Sequence, residues 1–315
     1  MHRISILSGS LAALAFAAVG HAQPPGITPE MIATALPEEG APLAEPGPYE
    51  VVSEPAFGSP GHVVFRPADL GAFPDRDSLP VVAWGNGGCA INSDRYAGFL
   101  STIASHGFLV LATAAGEGAA PRQGAGGEGA PRRQATADDL RAALDWAEAE
   151  AAREGSPLEG KVATDGMAVM GQSCGGFLSV ALGADPRVDT IGVFNSGVSP
   201  ANPDAPPSPF PTTDALDDLH GPVLLVNGHE RDFMMDASAA NFDLIDHVPA
   251  FYGARHGAGH TATVFHEGGG EYANVASSWL RYTLKDDGEA GEMFVGGDCG
   301  LCTNENWDTR SKGLD

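Results

Sequence analysis

The chain has 315 residues, 41 acidic side chains against 17 basic ones, a formal net charge of −24 and four cysteines. So acidic a surface repels phosphates and excludes nucleic acid as a partner; it speaks to solubility rather than to substrate. The length supports one sizeable hydrophobic core and does not require two domains.

Residues 1–22 read as a secretory signal: basic "MHR", the apolar run "ISILSGSLAALAFAAV", and the small residues of "GHA" before a cut after Ala22. The run is shorter than the ~20 residues a membrane span needs, no lipobox cysteine follows, and nothing later is apolar enough to span. The expectation is a secreted or periplasmic protein, in a compartment where disulfides persist. Residues 23–48, rich in Pro, Gly and acid, are expected to form an extended arm, with the folded domain over 49–315.

From Tyr49 onward, short β-branched runs alternate with helix-length amphipathic segments. "YEVVSE" and "HVVFRP" predict an early strand pair, followed by the strand "PVVAWG", a helix around Tyr96 to Ser105, and the strand "FLVLATA". Next come the helix "ATADDLRAALDWAEAEAAR", the strand "GMAVMG", a helix from Cys174 and the strand "TIGVFNS". The last third repeats the rhythm with "PVLLVNG", a helix through Ala237 to Asp246, "PAFYGAR" and the helix "EYANVASSWLRYTLK". Alternation of this kind implies an α/β fold with a mainly parallel sheet covered by helices on both faces. Residues 114–133, with the imperfect duplication "GAAPRQ" and "GAPRRQ", read as a mobile loop at the carboxyl edge of the sheet, where ligands bind in such folds. Residues 199–218 are Pro-rich and too short for a helical cap domain, so an open cleft is expected.

The stretch "AVMGQSCGGFLSVAL", residues 168–182, sets a Gly-x-Ser-x-Gly turn between an apolar strand and a helix. A Gly-rich chain produces that pattern by chance, but the strand before it and the helix after it are the context that lifts a nucleophile, Ser173, above a sheet. A serine nucleophile needs a base, and the base needs an orienting carboxylate, in chain order Ser, Asp or Glu, His. Asp232, just past the strand "PVLLVNG", is the candidate acid, with Glu230 and Asp236 as alternatives. His260, in the small-residue loop "GAGHTAT", is the candidate base, ahead of His256 and His266. Those three histidines also raise a metal reading. Gly257 and Gly259 separate the first pair from a shared helix face and no HExxH occurs, so no metal ligand is assigned. His106 in "ASHGF" reads as a turn or core residue.

The segments "PGPYEVV", "LPVVAWGNGGC", "TIASHGFLVLA", "GQSCGG", "VNGHERD", "GAGHTAT" and "WLRYTLKDD" resemble secreted α/β-hydrolases of the dienelactone-hydrolase, cutinase and polyester-hydrolase side of that superfamily. The resemblance covers roughly residues 47 to 310. It implies the α/β-hydrolase fold without a cap domain, Ser173, Asp232 and His260 as the triad, and no cofactor. Lining up "ASHGF" places Cys89 in the oxyanion loop, so the resemblance implies backbone donors at Cys89 and at Cys174. The chain departs from polyesterases in having Cys89 where they keep an aromatic ring, "NSGVSP" where they keep a Trp, and the different tail "MFVGGDCGLCTNENW".

The function expected is therefore secreted serine hydrolysis of carboxylic esters through an acyl-enzyme. Hydrolysis of a cutin- or polyester-type polymer is one rival, and a non-catalytic binding protein on the same scaffold is another. Four cysteines allow three pairings. Cys299 and Cys302, in "CGLC", are close enough to bridge a small loop and lack the strand-helix setting of a redox pair. With the oxyanion positions taken from the resemblance, the amides of Cys89 and Cys174 sit about 4–5 Å apart, within reach of a disulfide. The expectation is a Cys89–Cys174 bridge, the alternative being two buried free thiols.

Overall fold

The computed structural model describes residues 42–73, 79–114, 133–204 and 206–314. The expected signal over 1–22, most of the arm expected over 23–48, and the loop expected over 114–133 apart from its two end residues lie outside the described residues. Nine strands form one sheet: β1 (Val51–Pro55), β2 (His62–Pro67), β3 (Leu79–Gly85), β4 (Leu109–Thr113), β5 (Val162–Gln172), β6 (Val188–Phe194), β7 (Val223–Gly228), β8 (Ala250–Arg255) and β9 (Trp307–Lys312). Their spatial order is β1-β2-β4-β3-β5-β6-β7-β8-β9. The six strands from β4 to β8 run parallel, while β1, β2 and β9 pair antiparallel at the two edges.

Every residue of β3, β4, β7 and β8 is buried, as continuous apolar runs require when helices cover both faces. Alternation along β3 divides the core. Val81 and Ala83 face the side packed by Leu140 and Leu144 of α2 (Ala137–Ala152) and Leu178 and Leu182 of α3 (Cys174–Leu182). Val82 and Trp84 face the side packed by Phe99 and Ile103 of α1 (Ala97–Ser105) and Tyr272 and Trp279 of α5 (Gly270–Lys285). Thr136 and Asp139 close a capping box at the start of α2, satisfying two of its free amides. A further helix, α4 (Met235–Leu244), follows β7.

Two features differ from the sequence-based expectation. Strand β5 begins at Val162 rather than near Gly166, and its register against β3 shifts between Pro80 and Val81. Strand β9 is unanticipated because "WDTRSK" buries only Trp307 and so carries no apolar alternation. Polar contacts hold this edge strand: the Lys312 ammonium donates to the carbonyls of Phe242 (2.6 Å) and Ile245 (2.8 Å) at the end of α4, where a cation complements the helix dipole. Among the described residues of 199–218, the helical stretch is a single 3-10 turn, Thr213–Leu216. Among the described residues, no helix is long and apolar enough to cross a membrane.

Candidate active site

Ser173 stands at the junction of β5 and α3 with φ 53° and ψ −117°, a conformation that costs an L-residue energy and persists only where its surroundings enforce it. Its amide donates to the Phe194 carbonyl (2.8 Å), and its carbonyl accepts from Gly176 N–H (2.9 Å) and the Ser196 hydroxyl (2.8 Å). Close backbone approach fixes the rest. A Cβ on Gly175 would lie 1.8 Å from the Gly85 carbonyl oxygen, and one on Gly171 would lie 2.4 Å from the Gly175 carbonyl. Only glycine lets α3 start this near to β3 and β5.

The structure brings Ser173, His260 and Asp232 together from three loops at the carboxyl ends of the strands. The Ser173 hydroxyl lies 2.8 Å from His260 Nε2, and His260 Nδ1 lies 2.9 Å from Asp232 Oδ1. The other partners of Asp232 are all donors: Asn195 Nδ2 (2.8 Å) and Gly228 N–H (3.1 Å) to Oδ2, and Met234 N–H (3.1 Å) to Oδ1. Its carboxylate acts purely as acceptor, so Nδ1 of His260 carries the hydrogen and Nε2 is left to accept from the serine. The Asp232 side chain is fully buried and that of His260 is 8% exposed. Phe233 stacks on the imidazole with ring centroids 3.9 Å apart, which excludes water from one face.

Cys89 lies in the turn after β3, buried and at φ 48°. A disulfide joins it to Cys174, the first residue of α3, with Cα atoms 5.2 Å apart. Asn86 anchors the start of the turn through donation to the carbonyls of Ala90 and Thr113 (2.9 Å each). The second disulfide, Cys299–Cys302, closes the small tail loop.

The alternative site residues lie elsewhere. Asp236 is exposed in the first turn of α4. Glu230 is exposed and bonds His229 Nδ1 (2.9 Å); the bond to its own backbone amide, with help from His229, holds its carboxyl below the usual range. His256 bonds Asp308 (3.1 Å) and lies against the His229 ring, whereas His266 precedes a 3-10 turn and burial lowers its pKa. His106 ends α1 with its Nε2 3.1 Å from the Glu45 carbonyl. Thus the three histidines weighed together in the sequence separate in space. Among the described residues, the group whose ligand atoms come within 4.8 Å of one another is His229, Glu230 and His256. With two imidazoles and a carboxylate it has the donor set of a late first-row divalent cation. Asp308 accepts from both imidazoles, at 2.9 and 3.1 Å.

Three site neighbours went unread in the sequence: Asn195, Gln172 and Phe233. Each carried a faint signal, Gln172 and Asn195 as polar residues just after the apolar runs "MAVMG" and "IGVF", Phe233 as an apolar residue beside the candidate acid. Comparison with known protein families finds no match for the chain, and comparison with curated proteins finds none either.

Proposed function

We propose that the chain is a secreted serine hydrolase of carboxylic esters, built on an α/β-hydrolase fold. One observation carries the reading: the unbroken hydrogen-bonded run from Ser173 Oγ through His260 to Asp232, at 2.8 and 2.9 Å, with the serine on a strained strand-to-helix turn. The signal-like sequence of residues 1–22 and two disulfides support the secreted setting.

In this reading Ser173 Oγ attacks the acyl carbon while His260 Nε2 takes its proton. Asp232 holds the Nδ1–H tautomer and stabilises the imidazolium that forms. The backbone amides of Cys89 and Cys174 receive the developing oxyanion, the second of them from the N-terminus of α3, where helix amides favour negative charge. His260 then protonates the leaving alkoxide. Water, deprotonated by the same imidazole, attacks the acyl carbon; the bond to Ser173 Oγ breaks, His260 returns the proton to Oγ, and the carboxylic acid leaves. The reaction requires no cofactor.

Turnover of p-nitrophenyl acetate by the mature protein and by Ser173→Ala tests the proposal. Loss of several orders of magnitude in the folded variant is expected; activity within about tenfold of wild type ends the reading. A panel of acyl lengths, run beside clearing of a polyester suspension, separates small-ester from polymer hydrolysis.

A further inference from the structure

Behind the nucleophile, a single directed chain of hydrogen bonds joins the oxyanion loop to the base loop. Gly87 N–H donates to the Tyr96 hydroxyl oxygen (2.8 Å), the Tyr96 O–H donates to Gln172 Oε1 (2.9 Å), and Gln172 Nε2 donates to the His260 carbonyl (2.9 Å). Each direction is forced. The Gly87 amide can only donate, so the tyrosine proton points to Gln172; that fixes the amide flip of Gln172 and aims its NH2 at His260. Gln172 and Tyr96 are 2% and 4% exposed, so water does not replace a lost partner. Burial pushes the Tyr96 hydroxyl up to about 12, and it keeps its proton at neutral pH.

The packing is specific to this contact. A Cβ on Gly87 would lie 2.2 Å from Gln172 Oε1 and 2.7 Å from the Tyr96 hydroxyl oxygen, so the loop reaches the pair only through glycine. The Tyr96 ring is held between Trp84 and Phe265, at centroid distances of 5.5 and 5.0 Å. Gln172 precedes Ser173, and Gly87 is two residues before Cys89.

We infer that Gln172 and Tyr96 are positioning residues for hydrolysis, setting the His260 backbone and the Cys89 turn at fixed places relative to Ser173. The inference rests on the ester-hydrolase reading. A small misplacement of reacting groups costs up to about a hundredfold in rate, and both ends of this bridge bear groups that touch the reacting atoms in that reading.

The test compares wild type, Gln172→Met, Tyr96→Phe and the double variant on p-nitrophenyl acetate, with folding checked by circular dichroism. Each single change is expected to lower kcat by about 10- to 100-fold while KM stays within about threefold. The double variant should fall little below the worse single one, since both break the same bridge. Folded single variants that keep wild-type kcat, or losses that multiply in the double variant, overturn the inference. Should Gln172→Met fail to fold, the kcat of Tyr96→Phe decides alone. A wild type that turns over no ester overturns the hydrolase reading first, and the positioning role with it.

Discussion

The two sides of the Ser173–His260 contact are built by different physics. On the serine side, geometry is set by exclusion: Gly171 and Gly175 let backbones touch where any Cβ would collide, and a covalent bridge ties Cys174 to Cys89. On the histidine side, geometry is set by donation. Asn195, the amides of Gly228 and Met234, and Gln172 hold Asp232 and His260 from the carboxyl ends of β5 and β7, from the residue after β6 and from the turn after β7. Steric exclusion tolerates no substitution and polar support is distributed, so the two sides should fail differently.

The largest expected effect strikes the histidine side. Asp232→Asn keeps the shape but permits the wrong imidazole tautomer, and kcat should fall by about 10⁴-fold. Glu230→Gln, two residues away and exposed, should stay within about threefold, since exposed polar changes away from a site are nearly neutral. Steady-state kinetics on both variants checks the pair; the reverse order moves the orienting acid to Glu230.

Next come the two disulfides, separated by 85 and 3 residues in sequence. Loop-closure entropy assigns about 4–5 kcal/mol to the long bridge and about 2 kcal/mol to the short one. Guanidinium unfolding of a Cys89→Ser, Cys174→Ser variant should therefore show the greater loss of stability, and Cys299→Ser, Cys302→Ser the smaller. Equal losses would mean that the unfolded chain already holds Cys89 near Cys174.

The smallest effect sharpens the contrast. Asn195→Ala removes one of two donors to Asp232 Oδ2, at a cost of about 1–3 kcal/mol. It should lower kcat by tens rather than thousands, because Gly228 N–H still holds that oxygen. A loss as deep as that of Asp232→Asn would show that the polar support is not distributed.

The same contrast explains what the sequence reveals. Exclusion leaves a mark in residue type: Gly-x-Ser-x-Gly between an apolar strand and an apolar helix is visible at 168–182. So are the buried strands β3, β4, β7 and β8, whose runs are apolar except at their carboxyl ends, where Thr113, Asn227 and Arg255 stand. Polar support leaves almost none. Asn195 bonds Asp232 across 37 residues and Gln172 bonds His260 across 88, and neither spacing has a local period to read. Strand β9 escapes for a related reason. Its place is decided by pairing with β8 and by Lys312 on the end of α4, not by its own hydropathy.

The central claim is that Ser173 is a nucleophile activated by His260, and covalent capture tests it most directly. Incubating the mature protein with a fluorophosphonate and mapping its peptides by mass spectrometry should find one adduct, on Ser173, formed more slowly in Asp232→Asn and absent in Ser173→Ala. A protein that stays unlabelled, or labels at another serine while Ser173 remains free, contradicts the account.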